Sequence, residues 1–365
     1  MRLNYFYYVL IVLLFFTSCT IRKTQLVKSQ EFIYQTGFPD WDPCGVFYDK
    51  ENNTEYVYFA SMAYKKKLLF FSLGGEKLIE IPTDSISDWR TANGIFVTNL
   101  DTIVFIMGGC GTKNIRIIFM DKQGNCFKKI DINDVVQTDE NNRKYNTSYG
   151  NIFENGVFFL KTSPADYSYQ IKHKSHVLLK YDIQTGEYQY ALSDMWRRIC
   201  TDTNLYIQDI NFAVENNILF VYSQTGNMLY LLNKNTYKIN KKIKIVSSYT
   251  DIGVEPRTIE DISMEHYERE VPLHGQLVDI EYDNYNRLYY VFIRHADSSL
   301  KNDASFSIQI YNKKFKKLSE QVFDGKEYKP NYMICSQGLL LRNNSSRRDY
   351  DDSTKIKYDL YKIKK

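Results

Sequence analysis

Three short segments hold every tryptophan of the 365-residue chain: Asp40-Trp41-Asp42, Asp88-Trp89-Arg90 and Asp194-Met195-Trp196-Arg197-Arg198. A guanidinium fork grips carboxylate or phosphate, and an indole stacks on a sugar ring or an aromatic group. His274-Gly275 and Pro330-Asn331-Tyr332 add an imidazole and a phenol in comparable connections. Trp41, Trp89, Arg90, Trp196, Arg197, Arg198, His274 and Tyr332 are therefore the candidate ligand-binding residues. The competing role is structural, with Asp capping a turn, Trp wedged between elements and Arg paired with Asp. Other motifs fail on geometry. Gly108 to Lys113 is glycine-rich but lacks Walker spacing and a following helix. His173 and His176 fall on opposite faces of a strand. No GxSxG, HExxH or CxxC occurs, and among 43 acidic residues no glycosidase pair can be picked by spacing. No catalytic residue, metal site or cofactor is assigned.

The beginning of the chain is an address. Met1-Arg2-Leu3-Asn4 is basic, and Tyr5 to Phe16 is an apolar run too short to span about 30 Å of bilayer. Phe16-Thr17-Ser18-Cys19 resembles the lipobox of bacterial lipoproteins. The resemblance implies that residues 1–18 are a cleaved signal peptide and that Cys19 becomes the lipidated N-terminus, where several acyl chains anchor stably. Thr20, rather than Asp, then favours the outer membrane. The basic stretch to Thr24 favours its periplasmic leaflet over the cell surface. Of the remaining cysteines, Cys44, Cys110, Cys126, Cys200 and Cys335 are an odd set that cannot all pair. A strand expected over 113–120 holds Cys110 and Cys126 about 20 Å apart, so most are read as unpaired thiols.

The elements that must position the candidate residues are strands. Aromatics make up 15% of the chain, with 31 Tyr and 22 Phe against 8 Ala, which disfavours a helical bundle. Short apolar runs alternate with turns of one form: Met120 to Cys126, Tyr181 to Tyr188, Leu232 to Tyr237 and Tyr311 to Phe315. Asp or Asn begins each, as hairpin chemistry requires. Aligned on these turns, the chain reads as six copies of four strands, about 54 residues each. The last copy lacks its outer strand, and residues 25–35 lack a partner. The expected fold is all-β: a six-bladed propeller of four-stranded antiparallel blades over 25–365, closed by the N-terminal strand, with residues 19–24 as tether. Two β-sandwiches are the alternative, but no Pro/Gly/Ser-rich linker separates two halves. The longest connection, 246–274, carries an acidic segment and a short helix expected from Thr258, either a lid or a docking surface.

The lipobox, the six copies and the Tyr-Asp-x-x-Thr-Gly-Glu turn resemble Bacteroidetes-type lipoproteins with a TolB-like six-bladed propeller, a family without an established activity. Asp279 to Arg294 is the stretch most typical of it. The resemblance implies a fold and a compartment and transfers no catalytic residues. The formal charge of +4 disfavours a nucleic-acid partner. The expected role is an outer-membrane-anchored propeller that binds an envelope ligand or protein partner. The alternative is a glycan-active hydrolase or lyase with residues scattered over the blade loops.

Overall fold

The structure, a computed structural model, describes residues 24–37, 44–61, 66–86, 92–108, 115–132, 145–147, 152–164, 176–193, 195, 210–253, 271–297, 304–344 and 355–364. Six antiparallel sheets form a ring. Blade one runs Cys44–Asp49, Thr54–Ser61, Lys67–Ser72, Lys77–Pro82, and blade two Ala92–Asn99, Thr102–Met107, Arg116–Met120, Cys126–Asp131. Blade three has a split first strand (Tyr145–Thr147 and Ile152–Glu154) followed by Val157–Pro164, Leu178–Asp182 and Tyr188–Ala191. Blade four is Ile210–Glu215, Ile218–Ser223, Met228–Asn233, Ile239–Lys244, and blade five Gln276–Asp283, Leu288–Arg294, Phe306–Asn312, Lys317–Phe323. Blade six takes Tyr328–Cys335, Gly338–Asn343 and Lys355–Lys364, and its fourth strand is Gln25–Gln35 from the other end of the chain. The expected architecture and its closure are both observed.

The repeated turns work as their sequences require. The side-chain oxygens of Asp121, Asp182, Asn233 and Asn312 each accept two backbone N–H groups of their own hairpin, at 2.8–3.1 Å. Gly124 and Gly186 take the left-handed position of their turns, with φ of 84° and 73°. Tyr237 and Phe315 occupy the same conformation in blades four and five. An L side chain there costs about 1 kcal/mol. Phe315 offsets this by stacking on Tyr289 at 4.3 Å.

The core is not inside the blades but between them. Six apolar clusters each join two neighbouring blades, as in Phe70 with Phe105 between blades one and two, or Phe220 with Val291 between four and five. The closing strand serves two of these clusters. Leu26 packs into the cluster between blades five and six, while Phe32 and Tyr34 pack into that between six and one. A β-bulge between Lys28 and Gln30 makes this possible, because one extra residue flips the strand's side chains to the other face. At the bulge Ser29 Oγ donates to the Leu360 carbonyl at 3.2 Å. Asp359, fully buried, ties blade six together: it accepts from Tyr328 Oη (2.7 Å) and Asn343 Nδ2 (3.2 Å) and pairs with Lys28 Nζ (2.6 Å). Cys44, Cys126 and Cys335 are free thiols; Cys110, Cys200, the segment expected to hold a helix from Thr258, and the lipobox with Cys19 lie outside the described residues.

Removing Asp359 takes one of two partners from the buried Tyr328 hydroxyl, which also bonds Tyr361, and removing Lys28 leaves the fully buried carboxylate without its cation. Asp359→Ala and Lys28→Ala should each cost about 3 kcal/mol, read from urea unfolding midpoints. Small losses in both would show that Asp359 does not hold the closing blade together.

Candidate functional site in the central channel

The first strands of the blades surround the axis, and their second strands send side chains across to the next blade. Counted from the first hairpin, the fifth residue of each second strand is Tyr58, Ile106, Lys161, Tyr222, Phe292 and Arg342. This position repeatedly meets the following blade's first strand. Tyr58 Oη donates to the Ile95 carbonyl at 3.4 Å, and Lys161 Nζ to Asn211 Oδ1 at 3.1 Å. Tyr222 Oη donates to Asp279 Oδ1 at 3.0 Å. Phe292 lies flat against Tyr332, with ring centroids 3.8 Å apart and planes 9° from parallel. Gly45 is required beneath Tyr58, since a Cβ there would come within 2.5 Å of its hydroxyl oxygen.

The polar belt is most concentrated at blade five. A bulge at Val278 interrupts the pairing of the first strand, so that Leu277 and Ile280 both pack towards blade four. Asp279, between them, is turned to the inner edge, where phenols from both neighbouring blades reach it. Tyr222 donates to Oδ1 from blade four, and Tyr332 donates to Oδ2 from blade six at 2.8 Å. The backbone N–H of Ile280 also donates to Oδ1, at 2.7 Å. Glu281, two residues on, lies on the same strand face. Cavities flank the pair. One of about 360 Å³ is lined by Asn211 to Glu215, Tyr222 and Val278 to Tyr282; another of about 440 Å³ is lined by Cys44 to Val46, Asp279, Glu281 and Pro330 to Ile334.

These surroundings set the protonation. Burial pushes the Tyr222 and Tyr332 hydroxyls well above the ordinary phenol range, and the charge of Asp279 adds to it, so both remain donors. Burial raises the Asp279 carboxyl, against hydrogen bonds from Tyr332, Ile280 and Tyr222 that lower it. Glu281 is reached by solvent yet walled in by protein, as a channel-lining group is. The enclosing protein, and then the charge of Asp279, push its pKa up to about 8, with the Tyr332 hydroxyl acting in the opposite sense. Both carboxyls are thus raised, and the pair holds a proton towards neutral pH, with Glu281 lifted to about 8 beside an Asp279 that accepts three hydrogen bonds.

Of the residues singled out in the sequence, Tyr332 belongs to this site. His274 does not line either cavity. It is half-buried beside Gly275, whose N–H donates to the Asp251 carbonyl (2.8 Å) and so brings the ends of the long connection together. Trp41, Trp89, Arg90, Trp196, Arg197 and Arg198 lie outside the described residues. Asp279, Glu281 and Tyr222 were not singled out. Their signal is the alternation Asp279-x-Glu281-x-Asp283 on a first strand, together with a phenol at the fifth position of the preceding blade's second strand.

No family model matches the sequence, and no curated protein does. Solved structures do. The chain is similar to a member of the DUF4221 family from Bacteroides vulgatus, with 16% identity and a TM-score of 0.71 over 94% of this chain and 99% of that one. The likeness is one of fold. A Bacteroides fragilis protein described as exported is similar at a TM-score of 0.57 and 9% identity, over 94% of this chain and 95% of that one.

A pKa raised in the folded state means that the folded protein keeps the proton longer than the unfolded chain. Stability contributed by Glu281 is therefore complete below about 4.5 and is lost as pH rises towards about 8. Glu281→Gln should flatten that decline, and carbon-13 NMR should show one glutamate carboxyl titrating far above the others. A wild-type profile already flat across this window would remove the proton-holding role.

Proposed function

We propose that this chain is a lipid-anchored envelope protein whose propeller binds a ligand or partner group at the channel pair Asp279–Glu281. The observation that carries the reading is the hydrogen bonding and protonation of that pair. Asp279 accepts from Tyr222, Tyr332 and Ile280, Glu281 has its pKa pushed up to about 8, and both line the two cavities. A rigid ring that presents such a pair, with Tyr332 backed by Phe292 as a fixed aromatic wall, suits binding of hydroxyl- or amine-bearing groups. The lipobox supports anchoring through Cys19, and Thr20 with the basic tether supports the periplasmic leaflet of the outer membrane. The exported Bacteroides fragilis relative in fold supports the envelope as compartment.

The glycan-active alternative has one observation in its favour: a carboxyl whose pKa is pushed up to about 8 beside a second carboxyl is the kind of pair used in glycoside hydrolysis. Thermal unfolding against oligosaccharides, peptides, nucleotides and divalent metals separates the readings. A ligand at 100 times its dissociation constant adds about 2.7 kcal/mol of stability. The expected result is a shift that Glu281→Gln abolishes with no turnover of the ligand. Turnover lost in the same variant would establish the hydrolase, and a shift unchanged in the variant would move the site elsewhere. Metabolic labelling with a fatty acid should mark the wild type and leave Cys19→Ser unmarked.

A further inference from the structure

The ring has two rims. The hairpins joining first to second and third to fourth strands share one of them. Gln25 pairs with Lys364, at the third-strand end where the other blades place a hairpin, so the chain enters the ring at this same rim. Lysines collect beside that point. Blade four contributes Lys238 and Lys241, the blade five hairpin Lys313, Lys314 and Lys316, and blade six Lys362 and Lys364, all exposed. They are contiguous: Lys241 Nζ donates to the Lys314 carbonyl at 3.0 Å, and the Leu26 N–H donates to Gln321 Oε1 of blade five at 3.2 Å. None of these lysines pairs with a carboxylate among the described residues, whereas Lys317, Lys234 and Lys122 do. Fewer carboxylates stand among them: Glu215 accepts from Tyr289, and Asp283 from Tyr290 and its own turn. The opposite half of the rim carries Asp49 and Glu51 at the blade one hairpin and Asp182 and Glu187 at that of blade three, while its Asp101 pairs with Lys122. A nearly balanced chain thus gathers an excess of positive charge around the start of the closing strand.

We propose that the lysine rim of blades four to six is a membrane-facing surface that binds anionic lipid headgroups, so that the propeller lies with this sector on the bilayer. Charge complementarity and the position of the tether select this occupant. Each lysine held near an anionic leaflet adds to attachment, and lipid plus a basic patch is the combination that anchors stably. Val27, exposed two residues into the closing strand, gives the sector apolar contact as well. The orientation rests on the lipid-anchored reading, but the surface is testable without the lipid.

The chain from Thr20, which carries every strand of the ring, should co-sediment at low salt with vesicles of phosphatidylcholine containing about a third phosphatidylglycerol, and not with phosphatidylcholine alone. Binding should fade above about 0.5 M salt. The triple variant Lys313→Glu, Lys314→Glu, Lys316→Glu should bind about a hundredfold more weakly with an unchanged melting temperature, and Lys122→Glu on the opposite half should bind as wild type. Absence of binding to the anionic vesicles, equal binding to both vesicle types, or equal loss in Lys122→Glu would overturn the surface. Fatty-acid labelling of Cys19 decides the anchor separately, so the two ideas fail independently.

Discussion

Everything in this molecule depends on one strand facing two ways. A ring of sheets leaves no edge open only if its last blade is completed, and the residues available for that are at the far end of the chain. The closing strand must also fill two different inter-blade clusters, one on each of its sides. A strand of strict alternation can bury only one face against one neighbour. The bulge at Ser29 resolves this by switching faces midway, so that Leu26 serves blade five and Phe32 and Tyr34 serve blade one. Because the clusters lie between blades, no blade has a core of its own, and closure is a condition for the other five as much as for the sixth.

The same device shapes the channel. The bulge at Val278 takes Asp279 out of alternation and offers it to both neighbouring blades, which an unbroken strand would not do. Two phenols and a backbone N–H then bond its carboxyl, and enclosure, with Asp279 beside it, pushes the pKa of Glu281 up to about 8. Packing and protonation are therefore linked: Tyr222, Asp279 and Tyr332 come from three consecutive blades and meet where those blades pack together. The exterior follows a different logic. There positive charge is in excess on the side of the rim nearest the tether.

The fold was legible because its signals are local. Asp182 and Asn233 bond their own turns, and the alternating strands between such turns can be counted without knowing where they go. The missing fourth strand of the last copy and the unpartnered 25–35 segment pointed to each other by elimination. The site was hidden for the opposite reason. Its three blades are joined by contacts over more than fifty residues of chain, and a bulge leaves no mark on composition. Asp279 and Glu281 read in the sequence as two acids among 43. The tryptophans stand out in the sequence by their recurrence, whereas Tyr332, which belongs to the site, reads there only as part of a connection. It lies instead within a first strand, Tyr328–Cys335.

The most direct test of closure is amide hydrogen exchange of the soluble chain, followed by mass spectrometry of peptides from residues 25–35 and 355–364. A ring closed by the N-terminal strand predicts that both peptides are protected to the same depth as the second and third strands of blade four, and that they open together. Exchange of residues 25–35 at the rate of an unpaired segment, with 355–364 still protected, would contradict closure and with it the shared clusters and the channel site built on them.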